Sequence, residues 1–157
     1  MNYTALVQAI GLCLVSVLIE AAGTTKSGKA WLENLKKPRL SLPFTVWYLV
    51  GGLYYIICGT IAYRLFAIPG EGVVMRLLPL GLMMLANGAG NFLLFRLRSL
   101  AGFYYSLFPF TVIILILYFQ LLSIDIISSW VLLPYMLWLV YDFYYLHALW
   151  KLNESSE

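Results

Sequence analysis

The sequence predicts an all-α integral membrane protein, a bundle of five transmembrane helices. Three observations carry the prediction. Of 157 residues, 62% are apolar and only 11% are charged, against roughly 25% charged in a soluble domain, and the mean hydropathy is +0.87. The apolar residues fall into five runs of about 20, the length that crosses a bilayer core. None of the runs alternates apolar and polar residues, as the strands of a wet-lumen barrel do, and only a helix satisfies its own backbone within one such run.

Span one is read from about Tyr3 to Ala22. No cation precedes Lys26, so the run lacks the basic start of a signal peptide and is kept as a span. Its one charge, Glu20, is close enough to the end to reach the headgroups. The segment from Gly23 to Pro43 is read as a polar loop, basic through Lys26, Lys29, Lys36, Lys37 and Arg39 and turn-rich through Pro38 and Pro43. Span two runs from about Phe44 to Phe66, and Pro69-Gly70-Glu71-Gly72 is a turn. Span three runs from about Val74 to Phe95, with Arg96 and Arg98 in a very short loop. Span four runs from about Leu100 to Leu122. Asp125, Ser128 and Ser129 mark the next turn, where a serine can cap a helix start. Span five runs from about Trp130 to Leu152. Loops this short leave room for one five-helix membrane domain over residues 1–157.

Orientation follows from Lys and Arg. Lys26, Lys29, Lys36, Lys37, Arg39, Arg96, Arg98 and Lys151 fall on one side, and only Arg64 and Arg76 on the other. The positive-inside rule puts loop one and the C-terminus in the cytoplasm. Trp31, Trp47, Trp130 and Trp150 lie near span ends, as an interfacial aromatic belt requires. The formal charge of +3 says nothing of nucleic acid in such a chain, and none is expected as a partner. Cys13 and Cys58 lie inside spans without metal-ligand spacing and read as packing residues.

The polar residues within the spans are the candidates for function. Asp142 stands near the middle of span five, where a charge costs roughly 2.5–3.5 kcal/mol on insertion scales. It must face the bundle interior, pair with another group or take up a proton. It reads equally as a ligand contact and as a structural hydrogen bond to another span. His147, the one histidine, is about 140° round the helix from Asp142 and makes no metal site with it. Asn87 and Asn91, four apart, share a face of span three and need partners across helices or on a ligand. Ala86, Gly88, Ala89 and Gly90 beside them, and Gly51, Gly52 and Gly59 in span two, either let helices approach closely or leave space for something flat. Twelve tyrosines, Tyr144 among them, add hydroxyls that seek partners when buried. An aromatic cavity with a few polar groups suits a large, flat, apolar ligand. No phosphate loop, zinc-helix motif or Ser-His-Asp set is present, which argues against kinases, zinc enzymes and hydrolases.

Three blocks resemble the translocator protein family, also called tryptophan-rich sensory proteins or peripheral-type benzodiazepine receptors (TspO/MBR). Trp31-Leu32 with Leu35, Lys37-Pro38 and Pro43 is similar to the family's loop after span one, and runs without gaps into Val50, Leu53, Tyr55 and Gly59. Asn87 followed by Arg98 resembles the stretch that ends the family's third helix. Leu133-Pro134-Tyr135 with Trp138, then Trp150-Lys151-Leu152-Asn153, is similar to its fifth helix. The resemblance implies a five-helix bundle, usually a homodimer. It also implies a pocket beneath the first loop for porphyrins, haem-like tetrapyrroles and, in some members, sterols or synthetic drugs. By matching position, Asn87 and Trp138 line that pocket, and Trp31 and Pro43 belong to its lid. The chain departs from the family at Gly51 and Gly90, where tryptophans are expected, at Leu32 and Leu42 in the loop, and at Leu146 in place of an asparagine. Asp142 adds a carboxylate. Losing two tryptophans either enlarges the pocket or lets the backbones close in.

The preferred reading is a non-enzymatic membrane receptor or carrier for a flat hydrophobic ligand, a tetrapyrrole first and a sterol second. It requires no cofactor beyond a porphyrin or haem bound as ligand. Its contact residues are Trp31, Pro43, Asn87, Asn91, Trp138, Asp142 and Tyr144, with Lys36, Lys37 or Arg39 free to meet propionates. One alternative is an enzyme of tetrapyrrole or lipid chemistry with Asp142 moving a proton. Another is an assembly partner docking through Gly52, Gly59 and Gly90.

Overall fold

Two of the five spans begin where a side chain accepts from the free N–H groups of a first helical turn. The structure, a computed structural model, describes residues 2–154. Asn2 accepts from Ala5 N at 3.1 Å and starts α1, Tyr3–Gly23. Pro43 precedes α3, Phe44–Ala67. Gly70 and Gly72, with φ of +99° and +83°, make the turn into α4, Val73–Asn91. These left-handed angles are free of strain only for glycine. Arg76 holds the turn by donating to the carbonyls of Glu71 and Ile68. Ser99 accepts from Gly102 N at 3.0 Å to start α5, Leu100–Ile124, and Asp125 alone separates α5 from α6, Ile126–Asn153.

Five of these helices are long and apolar enough to cross a bilayer, the third as α4 together with a π-helical turn over Phe92–Arg96. The longest, α6, has 28 residues. At 1.5 Å per residue it runs about 42 Å and overreaches the ~30 Å hydrocarbon layer.

Two expectations are corrected. The first loop is not all loop, because Lys26–Asn34 form a short helix, α2. Thr25 caps it, accepting from Gly28 N and donating to Phe95 O, each at 3.0 Å. The last span starts at Ile126 rather than Trp130, with Ser128 and Ser129 buried inside its first turn. The reason is Asp125, whose Oδ2 accepts from Ser128 Oγ at 2.5 Å and whose carboxylate takes a bidentate pair from Arg64 at 2.6 and 2.7 Å. The serine is satisfied within the helix, and Asp125 ties α3 to the α5–α6 junction.

The helices close a ring in the order α1, α3, α6, α5, α4, with α3 also touching α4. The backbones of α1 and α6 do not meet across it. The core is aliphatic and fully buried along α3, α4, α5 and α6, through Ile61, Leu65, Leu80, Met83, Ile114, Leu117, Leu121 and Leu132. Outward faces carry Leu14, Leu18, Ile56, Ile116, Phe119 and Leu137, all exposed, as lipid-facing side chains must be.

Candidate functional site

The gap that the ring leaves between α1 and α6 is a cavity of about 680 Å³, capped by α2. That volume falls inside the range of small-molecule sites, about 300–1,000 Å³. Its walls come from every helix: Val17, Glu20 and Ala21 of α1, Trp47, Gly51, Tyr54 and Tyr55 of α3, Asn87 and Asn91 of α4, Phe103 of α5, and Tyr135, Trp138, Asp142, Tyr145, Leu146 and Leu149 of α6. Lys29, Leu32 and Glu33 of α2 form the roof.

The roof is held by local chemistry. Gly28 lies so close to the π-helical turn that an added Cβ would sit 2.0 Å from the Phe95 carbonyl oxygen. Only glycine lets α2 dock there. Past α2, the chain is strapped to α6 at two points. Asn153 accepts from Lys36 N and donates to Lys36 O, each at 3.0 Å, while also donating to Leu149 O at 2.8 Å. Tyr141 donates to Leu40 O at 2.9 Å and accepts from Leu42 N at 3.3 Å.

Two carboxylates of the spanning helices face the cavity, besides Glu33 in the roof. Glu20 Oε2 accepts from the Tyr55 hydroxyl at 2.6 Å and from Asn87 Nδ2 at 3.2 Å, which joins α1 to α3 and α4. Asp142 projects from α6, and its Oδ1 is buried with no hydrogen-bond partner. The aromatic wall is continuous. Trp47 meets Trp138 edge-on with centroids 5.3 Å apart and lies 4.9 Å from Tyr145, and Tyr54 lies 4.9 Å from Tyr135. Edge-on pairs suit the ring quadrupoles and leave faces free for another ring.

The structure brings Asn87, Asn91, Trp138 and Asp142 to this cavity. Asn91 turns its Nδ2 back to Asn87 O at 3.1 Å. Trp31, Pro43 and Tyr144 are not among the lining residues. Trp31 packs half-buried on the core, Pro43 is exposed at the head of α3, and Tyr144 is 46% exposed. Two residues along a helix is 200° of rotation, so Asp142 and Tyr144 cannot share a face. The loop cations also stand elsewhere. Lys37 donates to Leu32 O and covers the Phe44 ring, and burial pulls its ammonium below the ordinary lysine range, with Glu33 opposing. Of the basic loop, only Lys29 lines the cavity.

Glu20, Trp47 and Tyr135 were not anticipated as lining residues. Sequence alone directs Glu20 to the headgroups and Trp47 to the interfacial belt. The signal was present for Glu20, because an ionisable residue within an apolar span is a candidate site by default.

The two missing tryptophans have opposite outcomes. An added Cβ on Gly51 would meet nothing within 4 Å, and Gly51 lines the cavity, so here the space stays open. An added Cβ on Gly90 would lie 2.8 Å from Phe103 Cε2, so there α5 has closed in. Gly59 faces Cys13 Sγ of α1 at 3.5 Å from such a Cβ, so Gly59 and Gly90 are spent on contacts within the chain.

Compared with known proteins, the chain matches the family model described as TspO/MBR family over residues 9–151. No curated protein matches it.

Proposed function

The chain belongs to the TspO/MBR family, and on that premise we propose that it is a membrane receptor or carrier for a flat hydrophobic ligand, with a porphyrin or haem-type tetrapyrrole as the first class and a sterol as the second. The observation that carries the proposal is the capped cavity of about 680 Å³ with its aromatic wall and few polar groups. A planar ring slides against the faces of Trp47, Trp138 and Tyr145, and its burial supplies most of the affinity. Asn87, fixed by Glu20, orients polar atoms of the ligand. Lys29 in the roof is the cation that a propionate would reach. The ligand arrives laterally from the bilayer, where an apolar molecule is already concentrated. The same reading has the α2 side and the C-terminus in the cytoplasm, from the eight-to-two Lys/Arg distribution, and two copies forming a homodimer, as the family resemblance implies.

The test is a titration of the purified protein in detergent with protoporphyrin and haem, following the Soret band. The proposal expects saturation at micromolar ligand and weakening by about tenfold or more in Asn87→Leu, which removes a positioned hydrogen-bonding group. A linear, unsaturable response in the wild type contradicts it.

A further inference from the structure

We propose that the inner part of this cavity selects a positively charged group on its ligand, with Asp142 and Glu20 as counter-ions. The inference rests on the reading that the cavity takes a flat apolar ligand, and it adds the charge of that ligand.

Three observations lead to it. First, the lining residues contributed by the five spans include two carboxylates, Glu20 and Asp142, and no Lys or Arg. Lys29 lies in the roof beside Glu33, and the other cations of the first loop line no part of the site. Second, the two carboxylates differ in satisfaction. Glu20 has Tyr55 and Asn87 as donors, whereas Asp142 Oδ1 is buried with no hydrogen-bond partner. The ion pairs among the described residues are Arg64–Asp125 and Lys151–Glu154, so no cation among them neutralises Asp142. Trp138 donates to the Asp142 side chain, but a buried carboxylate oxygen left without a partner is costly, and a cation delivered by a ligand supplies the missing interaction. Third, Trp138, one turn before Asp142 on the same helix, meets Trp47 in the wall of the same cavity. Tryptophan faces attract cations, most strongly where water is excluded. An aromatic wall next to a carboxylate that no cation meets is the arrangement that recognises an organic ammonium.

Three probes that share one three-ring skeleton separate charge from shape: N-methylacridinium, neutral 9-methylanthracene and anthracene-9-carboxylate. Each is titrated against the full chain in a neutral detergent, following probe fluorescence, with micelle partitioning measured separately and subtracted. The expected result is that the cation binds about tenfold or more tightly than the neutral probe, with the carboxylate weakest. Asp142→Asn, which keeps the size of the side chain, abolishes the advantage of the cation over the neutral probe. Glu20→Gln lowers the preference in part. Equal affinities in the wild type, or a preference that survives Asp142→Asn, overturns the inference. Saturable binding of the neutral probe with no preference for the cation defeats this inference alone. Failure of all three to bind defeats the flat-ligand reading with it. Should Asp142→Asn not fold, the three wild-type affinities decide.

Discussion

Truncating Asn153 to alanine tests whether the roof of the cavity depends on its strap to α6. The side chain is 3% exposed and makes three hydrogen bonds, two to the Lys36 backbone and one to Leu149 O. A net hydrogen bond contributes about 0.5–1.5 kcal/mol, and a buried group left without a partner costs about 1–3 kcal/mol. Water reaches the loop once it detaches and satisfies the Lys36 groups, so the cost stays in the lower half of the range for three bonds, about 2–3 kcal/mol. For a chain of this size that corresponds to a fall of about 5–10 °C in Tm. Thermal unfolding in detergent, followed by tryptophan fluorescence, measures it. Limited proteolysis reports the location, with new cleavage between Lys36 and Pro43 below the unfolding temperature. Asn34→Ala, at an exposed position of α2, is the control and stays within about 0.5 kcal/mol. An Asn153→Ala protein with wild-type Tm and a wild-type digestion pattern refutes the reasoning, because the loop would then be held by something other than these bonds.

Other substitutions extend the account. Gly28→Ala drives a Cβ to within 2.0 Å of a backbone oxygen, so α2 lifts from the π-helical turn at a cost of about 1–3 kcal/mol, read as a lower Tm and faster ligand release. Gly51→Leu and Gly90→Leu separate the two positions where the family has tryptophan. The first fills open cavity and keeps or raises Tm while weakening protoporphyrin binding, and the second collides with Phe103 and lowers Tm by several degrees. Arg64 holds the Asp125 carboxyl below the usual carboxylate range. The stability it adds is therefore present above the unfolded-state value, near pH 3.9, and is lost as pH falls through the lower folded value. Partial exposure of the pair screens it to about 1 kcal/mol. Asp125→Asn removes that acid limb from the pH–stability curve and lowers stability at neutral pH by the same amount.

Long-range order along the chain was the legible part. Hydropathy located all five spans, because lipid demands an uninterrupted apolar helix and tolerates little else. The ends were harder. Ser128 and Ser129 look like turn residues until the Asp125 carboxylate is seen taking the Ser128 hydroxyl, and the cations and prolines of the first loop mask the nine residues of α2. Within the site, helical spacing was enough to put Asn87 and Asn91 on one face. Which face of α6 turned inward was not legible, and the eight apolar or aromatic residues around Asp142 from Trp138 to Leu146 fit either choice. Tyr144 fell on the lipid side for that reason. Glu20 was misassigned because its position near a span end has two physical solutions, the headgroups or the bundle interior. Tyr55 and Asn87, distant in sequence, decide between them. Gly51 and Gly90 are the same residue in similar surroundings with opposite outcomes, set by whether Phe103 of a neighbouring helix occupies the space.

Two single-tryptophan proteins, one retaining only Trp138 in the cavity wall and the other only Trp130 on the exposed face of α6, locate the ligand most directly. Protoporphyrin bound in the cavity quenches Trp138 saturably at micromolar concentration and leaves Trp130 with only the linear quenching of a ligand dissolved in the micelle. Equal quenching of both, or stronger quenching of Trp130, contradicts a ligand bound between α1 and α6.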